Sequence, residues 1–456
     1  MSNLVTPEKS NIVTADKFSF SDLFRKEDWW AIWLGFFIMA IALMGKVSGS
    51  FDLKAVKAHK WGTGDYPSLI SAFDGLGSQL LFLLVFVGII TVIGMAVMRK
   101  DVKGYIVAFP VVFVLANLAY LFSQHYVIKN YLGYAFWALG IGLLISNTVG
   151  TPKWLKPAVR TEYYIKTGLV LLGAEILFSN VIKFGLYGLG IAWLVTPIVV
   201  IFMWNYGTKI LKMTSKPMVI VIAMATSVCG VSAAIAAAAA AKAKKEDLTF
   251  AVGLTLIFTV IMMVSMPLIL SAIGMDPMLG GAWMGGTIDA TGAVVLAGEA
   301  MGPLAGQVAA MVKMIQNVLI GIIAFAIAVF FATRVDRNEG DPAVGASEIW
   351  HRFPKFILGF IGASVIFSLL VEPSLGTDVT GSILKLTKGF RGWFFCLAFI
   401  SIGLESNFKD MSQYLQGGGP LKLYVVGQSF NLVLTLLVAW LLLSGVLFPI
   451  PQLAGF

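Results

Sequence analysis

The chain has 456 residues, of which 58% are hydrophobic and only 12% charged, with a mean hydropathy of +0.87 and a formal net charge of +9. That balance excludes an ordinary soluble domain and requires a polytopic membrane protein. The basic excess sits in short stretches such as Arg99-Lys100, Lys153 to Arg160 and Lys209 to Lys216, the pattern of membrane orientation rather than of nucleic-acid binding.

Residues 1–28 are polar and lack the apolar core and cleavage site of a signal peptide, so the first span is expected to remain in the mature protein. Apolar runs near 29–45, 80–98, 105–124, 134–150, 163–182, 187–207, 249–274, 311–333, 353–373, 389–408 and 424–448 predict about eleven continuous crossings, in an all-α fold. A basic amino terminus in the cytoplasm then puts Arg99 to Lys103, Lys153 to Arg160, Lys209 to Lys216 and Arg334 to Lys355 on one side. Lys46, Lys54, Lys57 and Lys60 fall on the other side with Lys385, Lys388 and Arg391, and the loop after the first span is long enough for a small ordered cap. Cys229 and Cys396 lie in apolar segments and offer no disulfide framework. His59, His125 and His351 fall outside the spans, so neither a buried metal site nor a histidine-based catalytic centre is expected.

Two apolar segments, 218–241 and 280–302, are interrupted by small and hydroxylated residues: Thr226-Ser-Val-Cys-Gly-Val-Ser-Ala-Ala234 and Gly285-Gly-Thr-Ile-Asp-Ala-Thr-Gly-Ala293. Backbone groups freed inside a bilayer survive only where protein or a cavity satisfies them, and a pair of such breaks points to the binding site of a secondary transporter. Close helix packing through small residues is the plainer explanation of either break alone. Each segment either crosses fully or turns back as a re-entrant hairpin; Lys242, Lys244 and Lys245 favour the hairpin, which keeps them on the basic side.

After Gly230 the alanine run predicts a short helix whose amino end lies inside the membrane and presents unpaired N–H groups with a partial positive charge. Thr226, Ser227 and Ser232 can add donors there, as can Thr287, Thr291 and the Gly292 backbone at the second break, a set suited to a small oxyanion. Each hydroxyl can equally bond back to its own helix. Lys313, ten residues past Pro303, falls about 15 Å into its helix, where an ammonium attracts substrate or pairs with Asp289, Glu299 or Glu405. Asp289 is a candidate for coupling to H⁺ or Na⁺, or else an N-cap. Glu175 and Glu405 are candidate proton-linked carboxylates, or else helix ends in water. They belong to Leu172-Gly-Ala-Glu-Ile176 and Ile402-Gly-Leu-Glu-Ser406, and an odd number of crossings between these similar runs predicts antiparallel helices, as in an inverted repeat.

The run Cys229-Gly-Val-Ser-Ala-Ala-Ile235 followed by Lys242, and the run Gly286-Thr-Ile-Asp-Ala-Thr-Gly-Ala-Val-Val-Leu-Ala-Gly298, resemble the two signatures of the sulfate exporter family of bacterial inner-membrane proteins. Val312-Lys313 and the two Gly-x-Glu helices resemble that family's helix-borne lysine and paired glycine motifs. The resemblance covers residues 105–448, leaving 1–104 as an extension with two extra spans before a transporter core at 105–456. It departs at Asp289, where many members carry histidine, and at Ala290, Ala293 and Glu175. It implies two inverted repeats, a mobile core on a scaffold that commonly dimerises, an elevator-like exporter of a sulfur oxyanion or sulfonate, and no enzymatic activity or cofactor beyond a coupling ion. A Na⁺- or H⁺-coupled cation antiporter built on Asp289, Glu175 and Glu405 is the alternative reading of the same residues. A membrane-embedded enzyme would need a Gly-x-Ser-x-Gly elbow or a His-Glu-x-x-His pair, and the sequence has neither.

Overall fold

A computed structural model of the protein describes residues 21–49, 53–127, 133–176, 178–335, 350, 353–412, 418–451 and 453. The polar segment 1–20, His351 and the side chain of Lys183 lie outside what is described.

The helices follow the apolar runs. In chain order they are α1 (Asp22–Arg25), α2 (Glu27–Ser48), α3 (Gly77–Val97), α4 (Val102–Ser123), α5 (Tyr134–Thr148), α6 (Thr161–Glu175), α7 (Phe178–Leu189), α8 (Val195–Asn205) and α9 (Lys216–Ser227). There follow α10 (Gly230–Ala240), α11 (Lys245–Ala272), α12 (Pro277–Thr287), α13 (Thr291–Met301), α14 (Pro303–Phe330), α15 (Phe356–Ile366), α16 (Glu372–Glu405), α17 (Phe408–Ser412) and α18 (Gly418–Leu443). A π-helical turn at Gly190–Leu194 joins α7 to α8 in one long rod. Among the described residues, eight helical runs are long and apolar enough to cross a membrane, and one of them, Phe356–Glu405, carries two passes because the chain reverses at Gly376, φ +78°. Apolar side chains left bare along α3, among them Leu81, Phe82, Val85, Ile89 and Ile93, present the surface that lipid covers.

One group of helices comprises α2 to α6 with α15 and α16, and a second comprises α7 to α14 with α18; α13 also packs on α5, α6 and α16 and so ties the groups together. Helix α2 is tied to the rest of its group, since its Asp28 carboxylate accepts from Lys166 of α6 at 2.8 Å and from the Lys355 backbone N–H at 2.8 Å. The loop after α2 is held by Trp393, whose indole donates to the Val56 carbonyl at 2.9 Å. The helices carrying the Gly-x-Glu runs lie antiparallel: Thr161 at the start of α6 donates to Glu405 at the end of α16, and Arg391, earlier in α16, reaches Glu175 at the end of α6.

Both interrupted segments are hairpins. The Ser215 hydroxyl, which caps α9, donates to Asp247 in the first turn of α11 at 2.9 Å, so α9–α10 returns to the end from which it started. At the other end, a Cβ built on Gly280 near the start of α12 would lie 2.8 Å from the Met301 side chain at the end of α13. Small residues permit this, because Cβ atoms at Gly281 and Gly285 of α12 would press on the Ala305 and Ala309 carbonyls of α14. The two hairpins therefore enter from opposite faces, and their tips meet where the Gly230 N–H donates to the Asp289 carbonyl.

Lys385 and Lys388, expected outside the spans, are instead part of helix α16, as is Arg391, which is buried. The apolar run sets the sequence boundary near 389, but the helix already begins at Glu372, in a polar stretch. Asp289 is not an N-cap: the capping position of α13 is Ala290, which offers no side-chain bond.

Candidate functional site

The freed carbonyls at the two tips are taken up one by one. The amide nitrogen of Asn431 donates to Thr226 at 3.3 Å, that of Gln316 to Ser227 at 3.0 Å and to Gly286 at 3.1 Å, and that of Gln428 to Thr287 at 2.8 Å. The Lys313 ammonium, 1% exposed, donates to the Val228 carbonyl at 2.7 Å and to Gln316 Oε1 at 2.6 Å. These donors come from one face each of α14 and α18. They neutralise the carboxyl ends of α9 and α12, where a helix leaves acceptors and partial negative charge.

The amino ends are left differently. The first N–H groups of α10 and α13 have no acceptor within their own helices, and only Gly230 is engaged by the other tip. Beside them lies a cavity of about 400 Å³ whose inner wall is Cys229, Ser232, Thr291 and Asn317. Asn317 Nδ2 donates to the Thr291 hydroxyl at 3.1 Å, and Cys229 Sγ lies 3.7 Å from the same oxygen. The outer wall carries Asp28, Glu162, Lys166 and Lys355 near the starts of α2, α6 and α15. Lys166 is shared between Asp28 at 2.8 Å and Glu162 at 3.1 Å. Lys355 bonds the Phe353 and Trp350 carbonyls, and its burial pushes its pKa down to about 8 against the pull of Asp28.

Of the residues singled out in the sequence, Ser232 and Thr291 reach this cavity, while Gly230 and Gly292 stand in the first turns of the two inner helices. The hydroxyls of Thr226, Ser227 and Thr287 turn back to the carbonyls of Ile222, Ala223 and Trp283, at 2.8, 2.6 and 2.6 Å. Asp289 is buried at the second tip and accepts a bond from the Tyr424 hydroxyl. Glu175 is paired with Arg391 at 2.7 Å, and Arg391 also holds Glu299 of α13 at 2.6 Å, a triad linking α6, α16 and the second hairpin. Glu405 accepts from Thr161 and borders a second groove with Ile235 and Asn407.

Gln316, Asn317, Tyr424, Gln428 and Asn431 were not apparent from motif reading. Their signal is spacing: Lys313, Gln316 and Asn317 share one face of an otherwise apolar helix, as do Tyr424, Gln428, Asn431 and Thr435.

The fold defines a multi-pass, all-α membrane protein with two re-entrant hairpins meeting at its centre. The chain belongs to the UPF0324 membrane protein family: the family model described as conserved hypothetical protein 698 matches residues 107–417. A UPF0324 membrane protein of Rhodopirellula baltica is 52% identical over 86% of this chain and 72% of its own length. One of Nitratidesulfovibrio vulgaris is 53% identical over 80% of this chain, which spans 64% of that relative's length. A more distant one, from Nitrosomonas europaea, is 27% identical over 94% of this chain and 98% of its own. No solved structure matches.

Proposed function

We propose that the protein is a secondary active transporter of a small anion, a sulfur oxyanion or sulfonate by the resemblance of its tip motifs. The observation that carries this reading is the convergence of two half-helix amino ends, α10 and α13, on a cavity whose inner wall offers Ser232 and Thr291. The carboxyl ends are already occupied by protein donors, so what the two amino ends offer on the cavity side of the tips is donor chemistry, which suits an oxyanion. Antiparallel Gly-x-Glu helices and hairpins entering from opposite faces support an inverted-repeat, alternating-access mechanism. The cavity opens toward the face bearing Arg99, Lys156, Lys216, Lys242, Lys244 and Lys245, which the positive-inside rule assigns to the cytoplasm. Loading from that side supports export across a bacterial inner membrane.

Purified protein tested for thermal stabilisation by sulfate, sulfite, taurine, isethionate and small carboxylates decides the matter. At least one should stabilise it, and Ser232→Val and Thr291→Val should weaken that ligand by about 1–3 kcal/mol each, the contribution of a hydrogen bond to a charged group. A panel in which no anion stabilises the wild type rejects the anion reading.

A further inference from the structure

Buried oxygens without partners gather on the side of the hairpin tips that faces α11 and α18. Threonines in helices ordinarily bond back to the preceding turn, as Thr226, Thr249 and Thr287 do. Thr255 and Thr259, one turn apart on α11, do not, and their hydroxyl oxygens are buried with no hydrogen-bond partner. Asp289 Oδ1 and Gln428 Oε1 share that condition. All four residues are at most 4% exposed.

They belong to one place. A Cβ built on Gly230 would lie 2.7 Å from Thr255 Cγ2 and 3.7 Å from Asp289 Cβ, so these two side chains flank the first tip. The Tyr424 hydroxyl holds Asp289 Oδ2, and the Tyr424 ring stacks on Phe258, beside Thr259, with centroids 4.5 Å apart. Gln428, one turn beyond Tyr424, donates from Nε2 to Met262 Sδ of α11 and to the Thr287 carbonyl, which leaves its Oε1 as a spare acceptor.

A carboxyl group buried to this degree requires a counter-charge, a full set of donors or a bound proton. Asp289 has one donor, Tyr424, and no ion-pair partner among the described residues. The geometry points to a Na⁺ site formed by Asp289 Oδ1, Thr255 Oγ1, Thr259 Oγ1 and Gln428 Oε1. One carboxylate balances one positive charge, and three neutral oxygens complete a hard, all-oxygen shell. A divalent or soft metal is poorly served, since no group of three His, Cys, Asp or Glu side chains comes together among the described residues. The site touches both hairpin tips, so its cation favours the arrangement in which the α10 and α13 amino ends face the cavity. This deepens the transporter reading by supplying its coupling ion, and it rests on that reading for its purpose but not for its detection.

The test uses the purified full chain without any anion other than chloride, titrated with NaCl against choline chloride at constant ionic strength. Na⁺ should raise the unfolding temperature saturably and choline should not. Asp289→Asn should abolish the response, and Thr255→Val and Gln428→Leu should each raise the half-saturating Na⁺ concentration at least tenfold. Thr333→Val, whose exposed hydroxyl bonds its own helix, should leave it unchanged. If Asp289→Asn does not fold, the Thr255→Val shift carries the test alone. Equal responses to the two salts, or a Na⁺ response untouched in Thr255→Val and Gln428→Leu, overturn the site. The anion panel fails or succeeds separately: stabilisation by anions without a Na⁺ response removes only the cation site, and the reverse removes only the anion reading.

Discussion

Lys313 shows how one residue holds a broken helix together. Its ammonium lies at the carboxyl end of α9, donating to the Val228 carbonyl and to Gln316, and no carboxylate lies within ion-pair distance among the described residues. Its ammonium is held by a helix-end carbonyl and an amide oxygen, with Asp289 acting on it only from beyond ion-pair distance. Lys313→Met should therefore destabilise the protein by about 1–3 kcal/mol, the penalty of leaving buried acceptors unpaired. Adding Asp289→Asn should not restore the loss; thermal unfolding of the single and double variants checks this, and substantial rescue would identify a carboxylate partner. Sequence reading placed Lys313 ten residues past the start of its helix because Pro303 marks that start. It could not name the partner, since Val228 is 85 residues away and offers only its backbone.

At the scale of elements, the hairpin turns on where three lysines emerge. A cysteine replacing Lys244, in a Cys229→Ser, Cys396→Ser background, should be labelled by an impermeant reagent from the same side as one replacing Lys156. Labelling from the side of Lys57 would require a full crossing and undo the hairpin. The second element-level device is the Glu175–Arg391–Glu299 triad, which fastens α13 to α6 and α16. Arg391→Met leaves two carboxylates buried together and should cost about 3–5 kcal/mol, whereas adding Glu175→Gln and Glu299→Gln should recover most of it. A triple variant no more stable than Arg391→Met would show that the guanidinium acts through packing on Phe395, over whose ring it lies 5.4 Å from the centroid. The pair of antiparallel Gly-x-Glu helices was legible from crossing parity. The triad was not, because Glu175 and Glu299 stand 216 and 92 residues from Arg391 and meet it only once α6, α13 and α16 are packed.

For the whole molecule, the cavity joins the hairpin tips to a charged mouth, and that mouth gives binding a pH dependence. Lys355 lines it with a pKa pushed down to about 8 by burial. Below that value the ammonium is charged and attracts an anion; as pH rises through about 8 the charge is lost, so anion affinity should fall. Lys355→Arg keeps its charge throughout and should flatten the profile, measured as anion affinity against pH. An unchanged slope in Lys355→Met would assign the titration to another group.

The sequence by itself determined the class of molecule, the approximate spans, the two interruptions and the direction of the Gly-x-Glu helices. Each of these follows from local hydropathy, from parity or from the small residues of a break, quantities that need no knowledge of neighbours. Only the tertiary structure decided which hydroxyls face a cavity, because a threonine at 226 or 287 and one at 291 look alike until the helix on either side of the break is placed. It alone decided that Gln316, Gln428 and Asn431 close the broken ends and that the Thr255 and Thr259 hydroxyls are buried without a partner. Satisfaction of a buried polar group depends on partners supplied from distant parts of the chain, and those distances exist only once the helices are packed.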